Sequence, residues 1–143
     1  MSGDRVLLVD DEEEFTRALA ERMAARGLRV ETAPDGEAAL ARAATKSFDA
    51  ILLDLSMPGL DGIETLRRLR ERHPEIQVIL LTGHATVKTS VEAMRLGAVD
   101  FVEKPANLDE LLARIGEASA RKAILVERRV ADEIRDILEK KPW

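Results

Sequence analysis

The stretch DAILLDLSMPGLDG, residues 49–62, decides the predicted fold. Its apolar run AILL is typical of a strand that is covered on both faces of a parallel sheet. The run leads directly into Asp54 and then into a loop that contains proline and glycine. A carboxylate at the end of a buried strand costs desolvation energy unless a cation, a proton or a reaction compensates for it. The stretch therefore predicts a central strand whose final carboxylate has a function.

Short apolar runs alternate with helical patterns along the rest of the chain, which is the signature of repeated strand–helix units around a parallel sheet. The predicted strands are Arg5–Val9, Arg29–Ala33, Ala50–Asp54, Gln77–Thr82 and Asp100–Lys104. The second strand alternates polar and apolar residues and is predicted to lie at an edge. We expect an α/β fold with a five-stranded, parallel, doubly wound sheet, flavodoxin-like with strand order 2-1-3-4-5, followed by a long C-terminal helix.

The ends of several helices are marked in the sequence. Gly27 and Gly97 follow helical patterns at positions where a left-handed C-terminal cap is common. Asp61 precedes another helix, with Glu64 three residues later as in a capping box, and Pro74 ends that helix. These signals predict short helices and regular strand–helix units.

Composition excludes several classes of protein. The chain has 143 residues, a net charge of −5 and no cysteine, which favours one compact domain without disulfides, catalytic thiolates or zinc–thiolate sites. The 22 basic residues against 27 acidic ones do not give the footprint of a nucleic-acid binder. No apolar run is long enough to span a bilayer, and the amino terminus does not resemble a secretory signal. We therefore expect a cytoplasmic protein with no membrane association and no direct contact with nucleic acid.

Charged and polar residues follow the predicted strands, and the carboxyl ends of parallel strands share one edge of the sheet. Asp10 and Asp11 follow the first strand, Asp54 the third, Thr82 the fourth and Lys104 the fifth. Three carboxylates close together cannot all stay ionised without a compensating cation, and one lysine offsets only one of them. Mg²⁺ suits such a site, and a carboxylate that is neutralised in this way can act as a nucleophile toward phosphate. The pattern predicts a magnesium site with Asp54 as the nucleophile.

The segment from about Arg5 to Ile115 resembles the receiver domain of two-component response regulators. The resemblance rests on the paired acids after the first strand and on the motifs LLDLSMPGLDG, LLTGHA and VEKP, and it is strongest with receivers of the nitrogen-regulation type. It implies that Asp54 accepts a phosphoryl group from a sensor histidine kinase or a small donor. It also implies that Mg²⁺ is held by Asp10, Asp11, Asp54 and the backbone carbonyl of Ser56, that Lys104 pairs with the phosphoryl group, and that Thr82 hydrogen-bonds it.

The same resemblance implies a switch and a set of supporting residues. Thr82 and Phe101 would rearrange on phosphorylation and alter the face formed by the fourth helix, fifth strand and fifth helix. Supporting positions around the site would be Ser56, Gly83, His84 and Pro105, with a cis bond before Pro105. Such a domain phosphorylates and dephosphorylates itself but is not a turnover enzyme on an external substrate.

The C-terminal part of the chain is longer than a receiver requires. We divide the chain into a receiver domain, residues 1–119, and a helical extension, residues 120–143. Apolar residues of the extension fall on one stripe of an amphipathic helix that is predicted to run from Asn107 to Lys140. The stripe would fold back on the domain, dock on a downstream protein or pair in a homodimer, and we favour a homodimer formed through it or through the face of the fourth helix, fifth strand and fifth helix.

Three other functions remain as alternatives. The chain would be the isolated receiver of a longer transcriptional regulator if the C-terminal helix is a linker to an output domain. A phosphatase of the haloacid dehalogenase type also uses an aspartyl phosphate, but it requires an Asp-x-Asp motif where this chain has Asp10, Asp11 and Glu12. A flavodoxin-like cofactor binder is disfavoured because no glycine-rich phosphate loop follows a strand.

Overall fold

The computed structural model describes residues 3–55, 61–83 and 87–140. Strands and helices alternate along these residues in the order β1 (Arg5–Val9), α1 (Glu13–Ala25), β2 (Arg29–Ala33), α2 (Gly36–Thr45), β3 (Ala50–Leu53), α3 (Gly62–Arg72), β4 (Val78–Thr82), α4 (Val87–Arg95), β5 (Asp100–Glu103) and α5 (Leu108–Glu139). The strands form one parallel sheet in the order β2-β1-β3-β4-β5. The predicted fold class, strand order and edge position of the second strand are confirmed.

The strand boundaries differ slightly from those predicted. β1 and β2 match, but β3 ends at Leu53, β4 begins at Val78 and β5 ends at Glu103. Asp54 and Lys104 therefore stand just beyond their strands instead of forming their last residues. This places both side chains at the edge of the sheet, where the backbone turns away toward the next helix.

The sheet is covered on both faces, which explains the nearly continuous apolar runs of the central strands. Because successive side chains of a strand point to opposite faces, β1 contributes Leu7 and Val9 to one core and Val6 and Leu8 to the other. The first core also contains buried residues of α2, α3 and α4, and the second contains buried residues of α1 and α5. The central strands β1, β3 and β4 thus form the rigid base on which the polar edge is built.

The predicted helix ends are confirmed. Gly27 and Gly97 have φ angles of 94° and 108°, in the left-handed region that glycine adopts at low cost. The Asp61 side chain accepts a hydrogen bond of 2.7 Å from the amide of Glu64 and caps the start of α3. That helix ends at Arg72, and its C-cap residue, His73, directly precedes Pro74.

The last helix is one continuous element. α5 contains 32 residues, begins after Asn107, whose side chain caps it by accepting from the amide of Glu110, and is about 48 Å long at 1.5 Å per residue. Its first turns pack against the sheet through Leu111 and Ile115, and its last turns are exposed. None of the helices in the described ranges is both long and apolar enough to cross a membrane.

Candidate functional site

Two buried carboxylates lie side by side at the carboxyl edge of the sheet. Asp10 follows β1 and is 2% exposed, and Asp54 follows β3 and is 4% exposed. β1 and β3 are paired with Val9 opposite Leu53, and the amide of Asp54 donates a hydrogen bond of 2.9 Å to the carbonyl of Val9. The sheet ladder thus continues by one step to Asp54 and fixes the two acids next to each other.

The Asp10 side chain is held by the backbone that follows it. Its Oδ1 atom accepts a hydrogen bond of 2.9 Å from the amide of Glu12. Its Oδ2 atom is buried and forms an ion pair of 2.6 Å with Lys104 Nζ. The ammonium compensates for the burial of this oxygen.

Lys104 brings a positive charge to the acids from the end of β5. Its ammonium lies 2.6 Å from Asp10, 2.7 Å from Glu12 and 3.7 Å from Asp54, and it stacks over the ring of Phe15 at 4.4 Å from the centroid. Burial favours the neutral amine, but the neighbouring carboxylates outweigh it and raise the pKa of Lys104 above its usual value. The lysine is therefore charged at neutral pH and neutralises part of the acidic cluster.

The remaining negative charge makes this edge a candidate metal site. Among the described residues, Asp10, Glu12 and Asp54 each offer one carboxylate oxygen, and these atoms lie within 4.8 Å of one another. Three carboxylates face one ammonium, so the cluster retains the charge that a divalent cation would neutralise. Hard oxygen ligands such as these carboxylates fit Mg²⁺ or a similar cation. The residues present thus fit a hard divalent cation.

A comparison with known protein families matches residues 6–116 to the response regulator receiver domain. The chain belongs to this family. The match includes every strand of the sheet and the start of α5, and it establishes this receiver as part of a two-component system, in which receiver domains interact with histidine kinases.

Individual relatives agree with this assignment. The receiver is 39% identical over 121 residues to the transcriptional regulatory protein TcrA of Mycobacterium tuberculosis and 38% identical over 109 residues to the nitrogen assimilation regulatory protein NtrX of Azorhizobium caulinodans. These alignments cover 85% and 75% of this chain, but only 48% and 24% of the two relatives. The chain therefore spans less than half of the length of these two relatives.

A solved structure shows the same architecture along most of the chain. The crystal structure of a response regulator receiver domain protein from Methanospirillum hungatei is 29% identical and has a TM-score of 0.81, with 85% of this chain and 98% of that chain covered. The predicted resemblance to receivers, including the nitrogen-regulation type, is confirmed by these matches.

The structure brings only some of the predicted site residues together. Asp10, Asp54 and Lys104 lie together in this receiver, whereas Asp11 is exposed and is not a member of the carboxylate cluster within 4.8 Å. Thr82 is the last residue of β4, and its side chain lies outside the described part of the receiver. Gly83 follows it and is exposed, and a Cβ at Gly83 would lie 4.0 Å from Lys104 Cδ, so the end of β4 adjoins the lysine.

The other predicted residues lie at the periphery of the receiver site or outside the described ranges. Ser56 and His84 belong to segments that the structure does not describe. The peptide bond between Lys104 and Pro105 is cis, as the resemblance implied. Phe101 is 40% exposed on β5.

Sequence reasoning missed two residues of the site, Glu12 and Phe15. An acid at the start of a helix is ordinarily solvated, but the Glu12 carboxylate pairs with Lys104. The available signal was its position two residues after Asp10, where its amide bonds the Asp10 carboxylate and directs its own side chain to the same edge. Phe15 gave no separate signal, because a phenylalanine in the first turn of α1 reads as a core residue.

The extended helix of the receiver is attached at the opposite end of the sheet. Arg121 donates to the buried side chain of Gln77 at 3.1 Å, Lys122 donates to the carbonyl of Phe48 at 2.6 Å, and Arg129 pairs with Glu75 at 2.6 Å. These partners precede β3 and β4, so α5 crosses the amino ends of the strands. We call these three contacts the base contacts.

Proposed function

We propose that this receiver accepts a phosphoryl group on Asp54 from the phosphohistidine of a sensor histidine kinase. The observation that carries the proposal is the position of Asp54, a buried carboxylate at the carboxyl end of a central strand with Lys104 Nζ at 3.7 Å. Membership of the receiver family supports the reaction class. The alternatives of a dehalogenase-type phosphatase and a flavodoxin-like cofactor binder receive no such support.

In the proposed transfer, an Asp54 carboxylate oxygen attacks the phosphorus atom of the donor. The new P–O bond forms as the P–N bond to the histidine breaks, and the imidazole nitrogen keeps the electron pair. The Lys104 ammonium neutralises charge on the transferring group, since it is already held between the acids. Burial of Asp54 excludes most water from the nucleophile. The domain turns over no external substrate, because the phosphoryl group remains on its own side chain until water removes it.

We propose Mg²⁺ as the cofactor, held by Asp10, Asp11, Asp54 and the backbone carbonyl of Ser56. When bound, the ion would neutralise the carboxylates and the phosphoryl oxygens, which together carry more negative charge than Lys104 offsets. The hard oxygen donors of the cluster of Asp10, Glu12 and Asp54, which outnumber the one ammonium, support this choice.

Mass spectrometry tests the phosphoacceptor directly. Incubation with acetyl phosphate and Mg²⁺ should add one phosphoryl group to the wild type and none to Asp54→Asn, and hydroxylamine should remove it because acyl phosphates react with this nucleophile. Asp132→Asn, an exposed carboxylate on α5, is the matched control and should be labelled like the wild type. Equal labelling of Asp54→Asn and the wild type would assign the phosphoryl group to another residue.

The proposed output surface is the face formed by α4, β5 and α5. Phosphorylation adds nearly two negative charges at Asp54, and we propose that Thr82 and Phe101 rearrange in response. Val91 and Met94 of α4 and Phe101 of β5 are large apolar residues that are 42%, 43% and 40% exposed. Supporting roles for Gly83, His84 and Pro105 are part of the same proposal. An exposed apolar group next to a charge switch is suited to contact with a second receiver or a downstream protein.

We also propose that the helical extension, residues 120–143, is a separate functional unit that pairs in a homodimer. The apolar residues Val130, Ile134, Ile137 and Leu138 are exposed beyond the last base contact, which Arg129 makes. Exposed apolar residues on successive turns favour pairing with another helix.

The state of association tests this pairing. Ile137→Glu should shift the receiver to a lower molecular mass in light scattering, because it places a charge in the apolar stripe. Glu139→Lys is the control, since it changes charge on the opposite side of the same helix and should leave the mass unchanged. A concentration-independent monomeric mass for the wild type would contradict the homodimer.

A second candidate is the receiver of a longer transcriptional regulator, in which α5 is the linker to an output module. The observation that favours it is that TcrA and NtrX are two to four times longer than the segment matched here. Extension of the reading frame beyond Trp143 in the source gene would support this candidate. For both candidates we propose a cytoplasmic location. We also propose that residues 1–119 contact a kinase and do not contact nucleic acid directly.

A further inference from the structure

The Lys104 ammonium lies nearer to two other acids than to the proposed nucleophile. It lies 2.6 Å from Asp10 and 2.7 Å from Glu12 but 3.7 Å from Asp54, so its short contacts are to two acids that are not the proposed acceptor. A charged hydrogen bond is formed at about 2.7 to 2.9 Å and weakens beyond that range. The lysine is therefore engaged elsewhere before any phosphoryl group arrives.

Glu12 is positioned for this contact by the backbone. Its amide donates to Asp10 Oδ1, its carbonyl accepts from the Thr16 hydroxyl at 2.8 Å, and its side chain is 62% exposed. The glutamate is thus fixed at its backbone but free to leave the lysine at its carboxylate. Because the Glu12 carboxylate is largely exposed to water, breaking its ion pair with Lys104 costs little free energy.

We propose that Glu12 is a positioning residue that retains the Lys104 ammonium on the outer side of the acidic cluster and so slows phosphorylation of Asp54. This inference rests on the proposed function of Asp54 and adds a regulator of the same site. An incoming phosphoryl group competes with the Glu12 carboxylate for the ammonium. Removal of that carboxylate leaves the lysine with Asp10 and Asp54, nearer to the transferring group.

The first test observes the contact without any reaction. In the metal-free protein, the ¹⁵Nζ and ammonium proton resonances of Lys104 should shift in Glu12→Gln and stay at their wild-type positions in Glu14→Gln. Glu14 is an exposed acid of the same helix turn, so its substitution removes the same charge without touching the contact. Unchanged Lys104 resonances in Glu12→Gln would overturn the proposal.

The second test measures the rate of labelling by acetyl phosphate at fixed Mg²⁺. Glu12→Gln should be labelled about two- to fivefold faster than the wild type, the range expected when one partly exposed ion pair is removed. Glu14→Gln reports the contribution of net charge alone and should stay near the wild-type rate. A Glu12→Gln rate equal to that of Glu14→Gln would overturn the proposal.

A double-variant comparison separates positioning from direct effects on the metal or donor. If Glu12 acts through the lysine, Glu12→Gln should have no further effect in a Lys104→Met background. The same acceleration in both backgrounds would assign Glu12 to the metal or the donor and refute the positioning role. Failure of the proposed function has a different result, because the wild type and every variant would then lack label at Asp54.

Discussion

Substitution of Gly62 by alanine should damage both stability and the phosphoacceptor site. Gly62 is the buried first residue of α3, and a Cβ there would lie 2.4 Å from Leu55 Cα and 2.8 Å from the carbonyl oxygen of Asp54. Both are backbone atoms, so no side-chain rotation relieves the overlap. The start of α3 approaches the chain directly after Asp54 closely enough that only glycine fits.

The magnitude follows from the size of the overlap. Carbon atoms in contact lie about 3.5 to 4.0 Å apart, so the helix start and the segment after Asp54 must separate by about 1 Å or more. Forcing an extra methyl group into a packed site costs about 1 to 3 kcal/mol and sometimes more, whereas the helix propensity of alanine returns at most about 1 kcal/mol. We expect Gly62→Ala to lower the free energy of unfolding by about 2 kcal/mol, or the melting temperature by about 4 to 8 °C.

Gly116 supplies the matched control for this experiment. It lies inside α5, and a Cβ built on it meets no heavy atom within 4 Å. Gly116→Ala should therefore stabilise the protein by about 0.5 to 1 kcal/mol through reduced chain entropy. Urea unfolding of the two variants should give changes of opposite sign, and acetyl phosphate labelling should slow only in Gly62→Ala, since that substitution displaces the backbone of Asp54. A Gly62→Ala protein as stable as Gly116→Ala would refute the close approach.

Three further predictions concern Mg²⁺ binding, the partly buried Lys122 and the helical extension. Added Mg²⁺ should raise the melting temperature of the wild type, because a ligand of the folded state stabilises it, and thermal scans of Asp10→Asn should lose most of this rise. Burial lowers the pKa of Lys122 below its ordinary value of 10.5, so the unfolded chain binds more protons between the two values. Stability should therefore rise with pH in that window, and urea titrations should show this slope in the wild type but not in Lys122→Met. A chain of residues 1–119 should fold with the same sheet, as circular dichroism would show, but be about 1 to 3 kcal/mol less stable because the base contacts are lost. An unfolded 1–119 chain would place the domain boundary further along α5.

Much of the fold was predictable because its signals are local. The strand runs, the glycine caps and the Asp61 cap each depend on a few adjacent residues, and all three are found in the structure. The gathering of Asp10, Asp54 and Lys104 was predictable for a different reason. The carboxyl ends of parallel strands share an edge, so the strand pattern alone places residues distant in sequence together.

The other features of the fold and of the site depend on contacts between residues that are distant in sequence, and such contacts leave no local pattern. Arg121 and Gln77 are separated by 44 residues, and Lys122 and the carbonyl of Phe48 by 74, so neither pair was visible in the sequence. Helix periodicity predicted that the stripe on α5 needs a partner, but not that the polar side of the helix is bonded to the base of the sheet. Glu12 was not predicted as a site residue, because a glutamate at a helix start is ordinarily solvated and only its contact with Lys104 distinguishes it.

α5 connects the two ends of the sheet, and this arrangement relates the site to the extension. The helix begins three residues after Pro105, close to the lysine that would meet the phosphoryl group, and its base contacts hold it at the amino ends of the strands. Each contact is worth about 1 kcal/mol, within the range of coupling energies that ligands supply, so together they limit movement of the helix without preventing it. A tilt of about 5° at its start would move the far end of a helix of about 48 Å by about 4 Å. If a small displacement of Lys104 tilts the start of α5, the resulting movement of the helix would therefore be largest near Ile134 and Ile137. The exposed apolar stripe is available for a partner at these residues.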